Sequence, residues 1–83
     1  MRLVLVEWID SYGCSTNWRR MEECEPAILS CRSVGWLLHD GDDAKVIVPH
    51  IADAEPEIHR QGCGDMTIPT KAITKIVDIT LPA

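Results

Sequence analysis

The stretch CRSVGWLLHDGDDAKVIVP, residues 31–49, decides how this chain folds. Val34, Trp36 and Leu38 alternate with other residues before a polar knot, Asp40-Gly41-Asp42-Asp43, and Val46 and Val48 alternate after it. Two β-prone runs joined by Asp-Gly predict a hairpin, with Gly41 taking the positive φ that such a turn favours. The chain is therefore read outward from a central hairpin.

Upstream, residues 2–10 (RLVLVEWID) predict a first strand. Val4, Val6 and Trp8 share one face; Leu3, Leu5 and Ile9 share the other, so both faces are expected to be covered over part of its length. Residues 10–13 (DSYG) break it with turn chemistry. Residues 13–26 (GCSTNWRRMEECEP) form the least regular part and predict a long loop with a turn or two of helix that gathers Trp18, Met21 and Cys24 on one side. Strand two covers 27–39, with Gly35 marking a bulge or a corner. Strand three covers 44–50.

Downstream, residues 51–62 (IADAEPEIHRQG) have no clean period and predict a polar surface connection. Residues 63–69 predict a short strand four with Met66 and Ile68 inward. Residues 69–72 (PTKA) predict one 3-10 turn, and strand five runs from Ile73 to Leu81 with Val77, Ile79 and Leu81 alternating. Mainly β structure follows: one domain spanning residues 1–83, a small five-stranded barrel with a long first loop and a 3-10 turn before the last strand. By analogy this layout is SH3-like or Sm-like. A chain this short buries only about 60–65% of its unfolded surface. It has no Phe, so Leu, Ile, Val and the tryptophans must fill the core.

Composition narrows function. With 13 acidic and 8 basic residues the formal charge is −5, and no basic block exceeds Arg19-Arg20. Nucleic-acid binding needs several cations on one face, so it is disfavoured. Leu3-Val-Leu-Val6 is cut short by Glu7 and Asp10, too early for a secretory core or a membrane span. A cytoplasmic location without membrane attachment is expected, with Cys14, Cys24, Cys31 and Cys63 as free thiols.

Catalytic and metal chemistry find no motif. The one tight pair of metal-type residues, His59 and Cys63, lacks a knuckle partner, and the Asp40–Asp43 knot lacks the spaced ligands of a calcium loop. Cys14, Cys31 and Ser11 have no nucleophile elbow or glycine-rich loop beside them. No enzyme, cofactor or metal is expected.

The loop from Tyr12 to Arg20 stands out instead. Tyr12, Trp18, Arg19 and Arg20 are residue types enriched at interface hot spots. The same types can stack on a base and pair with a phosphate. The competing expectation is that Trp18 folds back to plug one end of the barrel, because a core without Phe needs its tryptophans. Trp8 and Trp36 sit at strand positions and are expected in the core or in an interface between copies, since an apolar strand edge favours homo-oligomers.

Five stretches carry a resemblance: Val6 to Ser11 (VEWIDS), Trp18, Cys31 to Leu37 (CRSVGWL), Val48-Pro-His50, and Cys63 to Pro69 (CGDMTIP). Together they resemble small bacteriophage- and prophage-encoded proteins that have no defined function. The resemblance implies a phage or bacterial cytoplasmic origin. It also implies a role in binding and modulating a host or phage protein, or in sequestering a nucleotide-like small-molecule signal.

Overall fold

The computed structural model describes residues 1–82. Seven strands and three 3-10 turns follow one another: β1 (Leu3–Ser11), η1 (Met21–Glu23), β2 (Ile28–Asp40), β3 (Ala44–Val48), β4 (His50–Ala52), η2 (Glu57–His59), β5 (Gln61–Cys63), β6 (Met66–Pro69), η3 (Thr70–Ala72) and β7 (Ile73–Asp78). Five strands form one antiparallel sheet in the order β6-β3-β2-β1-β7, and β4 pairs with β5 in a separate hairpin.

Alternation along β1 builds the core. Val4 and Val6 are fully buried and join Leu37, Ile47 and Ile68 in one cluster. Trp8, Ala72, Ile73 and Ile76 pack against it. The spacing of the last two comes from the sheet, not from the period of the strand. Val6 lies opposite Ile76 and Trp8 opposite Ile73, with a register shift between Glu7 and Trp8. That irregularity turns two residues three apart toward the same core. The last strand, expected from Ile73 to Leu81, ends at Asp78; of the alternating Val77, Ile79 and Leu81, Ile79 is half-buried while Val77 and Leu81 are exposed.

The outer face is partly covered, as two apolar faces on β1 predict. Leu5 sits between Val34 on β2 and Val77 on β7. The β4–β5 hairpin folds close to Val48, which lies opposite Trp36: a Cβ on Gly62 would come within 2.9 Å of Val48 Cγ2. The polar connection expected over 51–62 contains a short hairpin of β4, η2 and β5, with Gly62 lying beside Val48.

Three local expectations change. Gly41 does not adopt a positive φ; among the described residues only Gly13 and Gly64 do. Its loop is closed by the Gly41 N–H donating to the Ala44 carbonyl at 3.0 Å and by the Thr70 hydroxyl donating to the Gly41 carbonyl at 2.9 Å. The irregularity of β2 falls between Leu37 and His39, not at Gly35. Gly35 is needed for close approach, since a Cβ there would sit 3.1 Å from the Val48 carbonyl oxygen and 3.2 Å from Ile47 Cβ. Of the two residues expected inward on β6, Met66 at its start stays 40% exposed, while Ile68 is 1% exposed.

Charges gather where strands begin and end. Arg2 Nε donates to Asp78 Oδ1 at 2.8 Å and lies 3.7 Å from Asp40, which also pairs with Lys45. The Lys45 hydrogen bond holds the Asp40 carboxyl below the usual carboxylate range, with Arg2 adding to the effect. Asp78 raises the Arg2 guanidinium above its ordinary value.

Candidate functional site

The molecule is long, 59 × 25 × 23 Å, with a radius of gyration of 17.2 Å. A compact chain of this length would have a radius near 12 Å. The excess comes from β1 and β2 running beyond the body. Pairing with β7 stops at Trp8 and pairing with β3 at Trp36, yet β1 and β2 stay paired as far as Ser11 and Ile28. The result is a two-stranded arm with the 12–27 loop at its tip.

The tip carries the residues singled out from the sequence. Trp18 is fully exposed, Tyr12 is 65% exposed and Met21 is 88% exposed. Trp18 therefore does not plug the body. The one helical turn in this loop, η1, has no buried residue, so Trp18, Met21 and Cys24 present their side chains to water.

Charge divides the four predicted residues. Arg20 is held locally: its Nη2 meets Glu23 Oε1 at 2.7 Å, and its Nη1 lies 3.6 Å from Glu22. Arg19 lines a cleft of about 540 Å³ with Tyr12, Cys14, Glu23, Cys24 and Glu25. Trp18 and Arg19 line a second, shallower cleft with Ser15 and Asn17. The structure thus gathers Tyr12 with Arg19 and Trp18 with Arg19, and ties Arg20 to its neighbouring acids.

A second concavity was not foreseen. Trp36, Pro49, His50, Ile51, Asp53 and Arg60 line a cleft of about 490 Å³ between the main sheet and the β4–β5 hairpin. Arg60 Nη1 meets Glu57 Oε1 at 2.8 Å. Its Nε lies 3.1 Å from Asp53 Oδ1 but is not aligned for a hydrogen bond. Two carboxylates on one guanidinium leave little positive charge for a ligand. The segment's aperiodic sequence hid this cleft; the signal available was His50 and Arg60 flanking an acid-rich stretch.

All four cysteines are free thiols, with Cys31 half-buried and the others exposed. Among the described residues no three His, Cys, Asp or Glu side chains converge to hold a metal ion, and no helix is long and apolar enough to cross a membrane. Comparison with protein-family models, curated proteins and solved structures finds no match.

Proposed function

We propose that this chain is a phage-type cytoplasmic interaction module that grips a host or phage protein with the tip of its arm. The observation that carries the reading is the full exposure of Trp18 beside Tyr12 and Met21, at the end of a ribbon that projects from the body. A large indole held in water is unfavourable unless a partner covers it, and aromatic residues with an adjacent arginine are the usual anchors of protein interfaces. The strand order β6-β3-β2-β1-β7 and the 3-10 turn that leads into β7 support an SH3-like arrangement of the body.

The test is a pull-down from bacterial lysate with the wild-type chain and with Trp18→Ala. The reading expects one protein, retained in near-stoichiometric amount at moderate salt, to be lost with Trp18→Ala while the melting temperature stays put. Equal retention by both chains, or none by either, contradicts it.

The alternative, sequestration of a nucleotide-like small molecule, rests on the cleft shared by Tyr12 and Arg19. Glu23 and Glu25 on the same wall oppose a phosphate, which ranks it second. Nucleotides that fail to raise the melting temperature would remove it.

A further inference from the structure

We propose that two copies of this chain pair through β2, antiparallel and centred on Cys31, to form a dimer with a continuous sheet. The proposal stands apart from the tip-binding reading and rests on the strand edge.

From Ile28 to Val34, β2 has a neighbour on one side only. β1 occupies that side throughout, and β3 begins its pairing at Trp36. The Leu37 N–H donates to the Arg2 carbonyl at 2.8 Å. Alternation along the ladder therefore turns the backbone groups of Leu29, Cys31 and Ser33 toward β1. Those of Ile28, Ser30, Arg32 and Val34 point away, where no strand of the described chain meets them.

Other edges are guarded. β6 has four residues and ends in Pro69; β7 carries Lys75 and Asp78. Short length, Pro and Lys are the usual devices against edge pairing. ILSCRSV, residues 28–34, has no Pro, no Lys and one charge, with Ile28 and Val34 at its ends.

A seven-residue edge is matched in full by one antiparallel register, the one with Cys31 on the two-fold axis. That register sets Ile28 opposite Val34 of the second copy, twice. Both are exposed, at 65% and 52%, and both lie on the outer face. Each row of Val77, Leu5 and Val34 is thereby extended by an isoleucine of the other copy, a favourable cross-strand pairing of β-branched residues. Ser30 faces Arg32 of the second copy, and each Arg32 keeps Glu7 beside it on β1, so the charges at the centre cancel. β2 begins at Ile28, two residues after Pro26, and β3 ends at Val48, just before Pro49, and the 12–27 loop lies beyond the paired residues. A single seven-residue strand pairing makes a small interface, at the low end for a specific one, so the dimer is concentration-dependent.

Two readouts test this on the full chain under reducing conditions. Sedimentation equilibrium across micromolar concentrations is expected to give twice the 9.3 kDa chain mass at the upper end. Hydrogen exchange is expected to show the Ser30 and Arg32 amides becoming protected over the same range. Ser30→Pro removes an outward N–H without touching the β1 ladder and should return the monomer mass. A chain retaining only Cys31, its other cysteines changed to Ser, is treated with oxidised glutathione. The glutathione takes two electrons and two protons from a pair of thiols. A disulfide dimer should form much faster than in the chain retaining only Cys63, because directly opposed residues in a non-hydrogen-bonded pair lie about 4.5 Å apart at Cα, within disulfide range. A monomer at every concentration overturns the proposal. So does a dimer whose Ser30 and Arg32 amides exchange freely, or equal cross-linking by Cys31 and Cys63. Should Ser30→Pro fail to fold, the wild-type exchange result decides alone.

Discussion

The Trp8 indole donates its Nε1 hydrogen to the Ser33 hydroxyl across 3.1 Å, fastening β1 to β2 where the packed body gives way to the arm. Beyond this bond β7 no longer accompanies β1 and the ribbon runs out alone. A two-stranded ribbon is marginal in water by itself. The tether therefore helps to fix the arm's angle as well as satisfying a half-buried donor. Ser33→Ala should cost about 0.5–1.5 kcal/mol in urea unfolding. It should also raise amide exchange at Ile9 to Ser11 more than in the body.

Ile68 is 1% exposed on an edge strand and closes the core beneath Ile47 and Leu37. Ile68→Ala leaves a cavity that the sheet cannot collapse without pulling β6 from β3. A loss of about 2–5 kcal/mol is expected, read by chemical denaturation. Trp18→Ala should move stability by less than about 0.5 kcal/mol, since its side chain is fully exposed.

Gly35 admits β3 to its place beside β2. Its missing Cβ would stand 3.1 Å from the Val48 carbonyl oxygen, which belongs to the backbone and has little room to yield. Gly35→Ala should destabilise by about 1–3 kcal/mol. The chemical shifts of Trp36 and Ile51 should move with it, because the β4–β5 hairpin follows directly from the displaced strand.

Asp40 links stability to pH. Its folded carboxyl is held below the ordinary value, first by the Lys45 hydrogen bond. The stabilisation is therefore complete above the unfolded pKa, about 3.9, and lost as pH falls through the folded value. Asp40→Asn should be less stable than wild type at neutral pH, and the gap should close in acid. A gap that widens in acid would contradict the sign.

Much of the fold was readable because it rests on local pattern. The Val4, Val6 alternation, the turn at 70–72 and the position of the hairpin around residues 41–43 all follow from local pattern, although Gly41 does not take the positive φ expected of its turn. The phase of β7 was not readable. Ile73 and Ile76 face the core together because of a register shift against β1, and a shift between strands leaves no mark in either sequence. The β4–β5 hairpin was hidden for a similar reason: it lies beside Val48, on a different strand. The tip residues were legible by type, but the exposure of Trp18 was not. The core is filled by Val, Leu and Ile with Trp8 packed against it, so the need for a tryptophan plug never arises.

The most direct test of the arm as a presented surface is acrylamide quenching of tryptophan fluorescence in the wild type and in Trp18→Phe, at low protein concentration with no partner. Trp8 and Trp36 are half-buried, while Trp18 stands fully in water. The account predicts that Trp18→Phe removes the red-shifted, readily quenched component and leaves a blue-shifted, protected spectrum. An unchanged quenching profile, or loss of the protected component, would place Trp18 inside the body and contradict the account.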